Sequence, residues 1–377
     1  MQVTDFIQFR REIHQNAELS GKEKETKKRI QNFICQFNPD EIIEVGKYGL
    51  IFAFKGAQPG PAIMIRSEMD ALPIQEVNTF GHKSVHEGVS HKCGHDGHMA
   101  ILANVAYRIS RNRPEKGICY LLYQPAEEIG EGAKEVFNDP KFQALKIDRI
   151  LALHNLPGFP KQLVLVKDGP FTPAVSSIAV KFQGKTSHAA EPEHGINPGA
   201  AMSEFLLKSL SLVQPDPNKS DFFLVTPIHM TLGEKNYGIS AGYGEVHLTL
   251  RSIESDILSN HFEQLKSITR ELAETNGLKI EIVTIEDFKA NINQSAVVDG
   301  VRQAARELGY ELQEMQAPMK WGEDFGLLTQ QIPGAMFGIG SGENSPALHN
   351  DDYDFPDELI EVGARMFERV IQNFLAN

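Results

Sequence analysis

The sequence predicts an α/β protein in which a mixed-sheet main domain is interrupted by a smaller α+β unit. Three observations predict it. At 377 residues the chain exceeds what one hydrophobic core usually organises. As far as about Lys167, short apolar runs alternate with amphipathic stretches, the pattern of strands covered by helices. From Ser176 to Ile285 the rhythm becomes strand, helix, two strands, helix, strand. Such a segment can close a small sheet of its own with helices on one face, a split β-α-β or ferredoxin-like unit. These patterns put the main domain at 1–174 and 290–377 and the insertion at 175–289.

Taken in order, amphipathic helices span about Asp5–Gln15 and Lys24–Phe37, the second carrying Ile30, Phe33, Ile34 and Phe37 on one face. A hairpin follows, Ile42–Val45 and Leu50–Phe54 around Lys47-Tyr48-Gly49. The runs Ala62–Arg66, Ile118–Tyr123, Ile150–Leu153 and Ala335–Ile339 read as buried strands. The insertion has strands at Ile178–Phe182, Phe223–Thr231, Glu245–Arg251 and Lys279–Ile285, and helices at Pro198–Val213 and Asp256–Thr275. Asn197-Pro198 fits an N-cap with proline in the first turn.

Composition narrows the class. A 41% apolar fraction with one tryptophan describes an ordinary soluble protein, and no apolar run approaches membrane-spanning length. Met1–Gln15 lacks the basic start and apolar centre of a secretion signal. Cys35, Cys93 and Cys119 are too few and too odd for a disulfide framework. The expectation is a reducing cytoplasm, with Cys35 and Cys119 as buried packing residues and Cys93 free to act as a thiolate. A formal charge of −13 argues against a nucleic-acid partner, because phosphate binding needs basic patches.

Chemistry concentrates between Gly81 and His98, which hold five of the thirteen histidines and end in Cys93-Gly94-His95-Asp96-Gly97-His98. Thiolate, imidazole and carboxylate are the side chains that zinc and its first-row neighbours accept. Four apolar runs deliver more of them: Glu68 and Asp70, Glu127 and Glu128, His154, and, after a Gly/Ser/Asn loop, His349. In open α/β sheets ligands gather beyond the carboxyl ends of strands, so the coincidence points to a metal site assembled from distant segments.

Arg11-Glu12-Ile13-His14 with Glu18-Leu19-Ser20, Glu68-Met69-Asp70-Ala71-Leu72-Pro73, the Cys93–His98 run, Gln124-Pro125-Ala126-Glu127-Glu128, Gly184-Lys185-Thr186-Ser187-His188-Ala189-Ala190, Gly322-Glu323-Asp324-Phe325 and Leu348-His349-Asn350 occur in that order. Together they resemble the amidohydrolase branch of the dinuclear-metal aminoacylase/carboxypeptidase superfamily, over about residues 8 to 370. The resemblance implies a catalytic α/β domain with a bound di-metal site, interrupted by a lid and dimerisation domain. It makes Cys93, His95, Glu128, His154 and His349 the ligands of two divalent ions (zinc, manganese, nickel or cobalt) and Glu127 the general base. It counts Asp70 among the active-site residues and sends His188 into the partner subunit's site, so it implies a homodimer. Asn236 and Arg251 match positions near the substrate's carboxylate, although Asn236-Tyr237-Gly238-Ile239-Ser240 departs from the family's usual Asn-Val-Ile-Pro. Glu68 stands where aspartate is common.

Physical chemistry adds detail to these roles. Adjacent glutamates on an extended turn point in different directions, so one can bind metal while the other faces water. Asp70 and Asp96 read as carboxylates on the far nitrogens of metal-bound imidazoles. His98 caps or packs beneath the site, His82, His86 and His91 are exposed loop histidines, and His14 makes a structural hydrogen bond. The function expected is hydrolysis of the amide of an N-acyl amino acid or a related small conjugate. The alternatives are a di-metal dipeptidase or exopeptidase, which needs an acidic recognition group, and a non-catalytic binding protein, which loss of a ligand would have favoured. A dinuclear phosphohydrolase would show more aspartates and arginines around the site.

Overall fold

A computed structural model describes residues 1–216 and 219–376. The chain forms two compact units, Met1–Phe171 with Asn291–Gln316 and Asp324–Asn377, and Thr172–Ala290 with Ala317–Glu323. Residues 317–323, which the sequence pattern assigns to the main domain, pack with the second unit.

The chain opens with helices α1 (Val3–Gln15) and α2 (Lys24–Cys35), the hairpin β1 (Glu41–Val45) and β2 (Gly49–Lys55), and strand β3 (Gln58–Glu68). Helix α3 (His95–Arg111), β4 (Lys116–Gln124), the short α4 (Gly132–Phe137) and α5 (Pro140–Gln143), β5 (Arg149–Pro157), β6 (Val164–Val166) and β7 (Gly169–Thr172) follow. The second unit holds β8 (Ala174–Gln183), β9 (Ser187–His188), α6 (Gly199–Leu210), β10 (Phe223–Leu232), β11 (Ile239–Ser240), β12 (Tyr243–Ser252), α7 (Ser255–Thr275) and β13 (Lys279–Phe288). The first unit then resumes with β14 (Asn291–Asn293), α8 (Ser295–Leu308), β15 (Leu312–Glu314), α9 (Phe325–Thr329), β16 (Gly334–Gly342) and α10 (Leu359–Ala376).

The large sheet runs β1-β2-β4-β3-β5-β16-β6-β15 and is mixed. Its centre, β4-β3-β5-β16, is parallel throughout. Parallel strands are covered on both faces, which is why Ile118–Tyr123, Ile150–Leu153 and Ala335–Ile339 read as unbroken apolar runs. Helices α1, α2, α3, α8 and α10 share one core with these strands through Phe6, Ile13, Ile101, Leu121, Ile339 and Phe367. Among the described residues no helix is long and apolar enough to cross a membrane.

The second unit's four-stranded sheet has the order β10-β12-β8-β13, every neighbour antiparallel. Counted within the unit this is 2-3-1-4, the ferredoxin-like arrangement that the strand-helix-strand-strand-helix-strand rhythm predicts. Helix α6 starts one residue later than expected: Pro198 is its N-cap, and the Asn197 carboxamide oxygen accepts the Gly199 N–H at 2.8 Å. The edge strand β10 leaves Ile228, Met230 and Leu232 exposed.

Candidate metal centre

The parallel centre of the large sheet aligns the carboxyl ends of four strands. β3 ends in Glu68 and leads to Asp70, β4 leads to Glu127 and Glu128, β5 carries His154 opposite Gly338, and β16 leads to the loop that bears His349. His154 thus lies within its strand, not beyond it. Cys93 and His95 stand at the start of α3, whose N-cap Gly94 has φ 95°. A Cβ at that position would lie 2.6 Å from the Asn155 side-chain oxygen, so only glycine lets the turn approach β5 this closely.

Two of the other turns are strained. Ala126 has φ 53° and His349 φ 67°, left-handed backbone that non-glycine residues adopt mainly where the surroundings impose it, often at functional sites. Glu127–Gly130 is a tight turn rather than an extended one, closed by the Gly130 N–H on the Glu127 carbonyl at 2.8 Å.

The five candidate ligands and Glu127 converge. Cys93, His95 and His154 form one trio of donor atoms within 4.8 Å of one another; Cys93, Glu128 and His349 form a second, and His95, Glu127 and Glu128 a third. Cys93 Sγ is 3.6 Å from His154 Nε2, and His349 Nε2 is 3.6 Å from Glu128 Oε2. His95 Nε2 is 3.8 Å from both Glu127 Oε2 and Glu128 Oε1. Ligands bound at about 2.0–2.3 Å in tetrahedral geometry sit roughly 3.3–3.8 Å from one another, so these spacings suit shared cations. They are too long for nitrogen–oxygen hydrogen bonds. His95 Nε2 and Glu128 Oε1 are buried with no hydrogen-bond partner, and a cation among these donors would satisfy both.

Neighbouring groups aim these side chains. The Nδ1 of His95 is 3.0 Å from the Asp70 carbonyl and 3.3 Å from Asp70 Oδ1, which turns Nε2 toward the centre. The other oxygen of Asp70 accepts from Ser20 Oγ at 2.7 Å and from the Glu128 N–H at 3.0 Å. The Nδ1 of His154 faces the Asn155 carbonyl at 2.9 Å. His98 uses both ring nitrogens elsewhere, on Glu68 Oε2 at 2.7 Å and Asn155 Oδ1 at 2.6 Å, so it braces the site. Behind it the fully buried Arg66 binds Glu68, Gln124 at 3.0 Å and Asp324 at 2.7 Å.

The electrostatics are those of a cation site. Burial pulls the His95 pKa down, yet the hydrogen bond to Asp70 and the charges of Glu68, Glu128 and Asp70 raise it to about 10. Burial, with Glu128, Glu127 and Glu68, pushes the Cys93 thiol well up, so the thiolate needs a cation beside it. Burial pushes His154 well down and keeps its ring neutral, the form that coordinates.

Several expectations need correction. Asp96 does not serve a metal-facing imidazole: its Oδ2 accepts from Arg10 and His14, each at 2.9 Å, in a buried charge cluster. His91 is buried rather than exposed, and neither ring nitrogen has a hydrogen-bond partner. Its immediate neighbours are Ser90 and the Lys92 that precedes Cys93, a stretch buried without a break to Ala100, so the loop reading failed at its inner end. His82 is half-buried and stacked on Phe80, and only His86 of the three is exposed. Cys35 is exposed, because the inward face of α2 is taken by Ile30 and Ile34, while Cys119 is buried. His14 does make structural hydrogen bonds, to Asp96 and to Glu76. Sequence reasoning missed Ser20, Glu23 and Lys92 as supports. Glu23, fully buried, accepts the Ala126 N–H at 2.8 Å, and its one signal was a charged residue beside a family motif.

The three remaining candidates lie in the second unit. His188, exposed on β9, pairs with Ile239 on β11, so the unusual turn at Asn236–Ser240 lies against it. The Ala190 N–H donates to His188 Nδ1 at 3.1 Å, so the neutral ring carries its proton on Nε2. Asn236 Oδ1 accepts the Gly238 N–H at 3.1 Å and shapes that turn. Arg251 lies on β12 of the four-stranded sheet, at the end remote from Tyr243, and its Nε–H donates to the Lys320 carbonyl at 3.2 Å. Eight residues at about 3.3 Å each, roughly 25 Å, separate it from Tyr243 at the His188 end of β12.

Residues 64–373 match the family described as Peptidase family M20/M25/M40. The chain is 29% identical over 368 residues to N-acetylcysteine deacetylase of Bacillus subtilis (strain 168), with 97% of this chain and 95% of that one covered. It is 27% identical over 374 residues to hippurate hydrolase of Campylobacter jejuni, with 98% and 97% covered. It also superposes on the crystal structure of a dinuclear metal binding peptidase from M20 family of Bacillus subtilis, with TM-score 0.83, 26% identity, and 99% and 98% covered.

Proposed function

The chain belongs to peptidase family M20/M25/M40, and from that premise we propose that it is a metal-dependent amidohydrolase that cleaves the amide of N-acyl amino acids or related small conjugates. The observation that carries the proposal is the convergence of Cys93, His95, Glu128, His154 and His349 with two buried, unpartnered donor atoms aimed among them. The relatives named N-acetylcysteine deacetylase and hippurate hydrolase, matched over nearly their whole length, supply the substrate class.

Cys93, His95, Glu128, His154 and His349 would hold two divalent cations, of zinc, manganese, nickel or cobalt. When bound, such a pair acidifies a water and polarises the scissile carbonyl. Glu127, in the same cluster and beside the ligand Glu128, accepts the water's proton at its carboxylate and returns it to the leaving nitrogen, which departs as the free amine. Asp70 acts through His95, holding its ring by Nδ1. His188, with its Nε2–H outward, donates to the substrate carbonyl oxygen or carboxylate, and Asn236 and Arg251 recognise the substrate's free carboxylate.

The second unit, the insertion at about 175–289, would serve as lid and dimerisation domain. His188 lies on the β9–β11 ribbon near the Tyr243 end of β12 and Arg251 at the opposite end of β12, too far apart to meet the same small substrate from the same chain. A homodimer resolves this, with His188 serving the partner's site, and the exposed apolar edge of β10 offers a pairing surface. None of the three cysteines is paired, which fits a cytoplasmic location.

The test is a panel of N-acyl amino acids offered to metal-reconstituted protein, with amine release as readout. Glu127→Gln keeps its metal and loses about 10²–10⁴-fold in kcat, while Glu128→Gln loses metal. Cleavage of dipeptides but of no N-acyl amino acid would replace the proposal with the exopeptidase reading.

A further inference from the structure

Lys92 immediately precedes Cys93 and is completely buried. A buried ammonium is tolerated only when its three N–H groups are bonded, and here they reach Glu76 Oε1 at 2.6 Å, Asn78 Oδ1 at 2.7 Å and the Tyr353 carbonyl at 2.7 Å. Its backbone carbonyl accepts the His349 N–H at 2.8 Å. Lys92 therefore grips the loop at His349 itself and four residues further on, at Tyr353, while its own main chain continues into Cys93.

His349 needs such a grip more than the other candidate ligands do. Its loop lies between β16 and α10, its side chain is 50% exposed, and its backbone is left-handed. Near His349 the loop is also tied by the Val77 N–H on the Asp351 carbonyl at 3.2 Å, Asn78 Nδ2 on the Asp352 carbonyl at 2.9 Å, and Asn155 Nδ2 on the Tyr353 hydroxyl at 2.5 Å, and further along Arg10 holds Asp354 at 2.8 Å and Asp357 at 2.7 Å. Asn78 is itself held by Lys92, so the ammonium secures one of those ties as well.

We propose that Lys92 is a positioning residue for the metal centre: it clamps the His349 loop onto the Cys93 segment and so sets the affinity of the cation held by Cys93, Glu128 and His349. The proposal rests on the ligand assignment given above. The competing explanation is that Lys92 only neutralises the buried Glu76, which otherwise keeps His14 and the Ser84 N–H as partners.

The experiment measures manganese or zinc per chain by elemental analysis over a buffered range of free cation, with circular dichroism on each sample. Wild type holds two ions, and His349→Ala holds one. If His349→Ala still holds two with unchanged affinity, the ligand assignment itself fails. Lys92→Met should hold one ion where wild type holds two, regaining the second when free cation is raised about 10–100-fold, the usual effect of losing a group that orients a ligand. Lys92→Met/Glu76→Gln removes the unpaired buried charge and should show the same selective loss with native circular dichroism. Two ions bound to the double variant with wild-type affinity would overturn the proposal, because neutralising Glu76 would then account for the lysine. Loss of fold in both variants would equally overturn it, by assigning Lys92 to stability alone.

Discussion

Replacing Asp70 with asparagine separates orientation of the proposed ligand His95 from the chemistry. Asp70 is 1% exposed and accepts two hydrogen bonds on Oδ2, from Ser20 Oγ at 2.7 Å and from the Glu128 N–H at 3.0 Å, while Oδ1 faces His95 Nδ1 at 3.3 Å as an ion-pair contact. An isosteric amide must place its NH2 on one side. Facing Ser20 and Glu128, it sets donor against the Glu128 N–H and leaves that buried group unpaired, a penalty of about 1–3 kcal/mol. Facing His95, it favours the tautomer whose proton sits on Nε2, the atom that points at Glu127 and Glu128 and would have to coordinate. The Asp70 carbonyl, 3.0 Å from His95 Nδ1, preserves part of the correct orientation and limits the damage. A net loss of about 1.4–2.7 kcal/mol follows, a 10–100-fold weaker cation affinity. The assay is competition with a metal indicator at fixed pH, with kcat measured separately at saturating metal. Affinity should fall and kcat at saturation should change little. Unchanged metal affinity with a collapsed kcat would refute the reasoning and make Asp70 a participant in the reaction.

Chelation should abolish activity, and Cys93→Ala should lower metal content per chain by elemental analysis; full activity of metal-free protein would contradict the proposed mechanism. His188→Ala and Glu127→Ala should each be nearly inactive, whereas subunits mixed from the two should recover up to about a quarter of the wild-type rate, since removing one such donor costs about 10²–10³-fold and only mixed dimers hold one complete site. A dead mixture after confirmed subunit exchange by mass spectrometry would mean that His188 does not act across subunits. His14 is pulled down by burial but raised to about 9 by its hydrogen bonds to Asp96 and Glu76 and by the charge of Asp96. A raised histidine contributes stability that is complete below its unfolded pKa near 6.5 and fades as pH rises through about 9. His14→Gln should therefore destabilise metal-free protein by on the order of 3 kcal/mol at pH 6, and denaturant titrations should show that gap closing by about pH 10.

The sequence alone was enough for the class of chemistry and for the architecture. Ligand-type side chains at the ends of apolar runs marked the candidate centre, because parallel strands covered on both faces are predominantly apolar and their polar residues gather toward their carboxyl ends. The second unit was legible because the order of its strands and helices restricts a small sheet to few arrangements. What the supports do was decided only by the tertiary structure. Asp70 and Asp96 look alike in sequence, yet one meets His95 while the other meets Arg10 and His14 from α1. Their partners lie tens of residues away, and no local spacing encodes such a contact. His91, expected to be exposed, is buried and Cys35, expected to be buried, is exposed, for the same reason: the neighbours that cover His91 or displace Cys35 come from packing. The grip of Lys92 on the His349 loop joins residues more than 250 positions apart. Only the folded chain brings them together, because a hydrogen bond depends on distance in space and the sequence records only order along the chain.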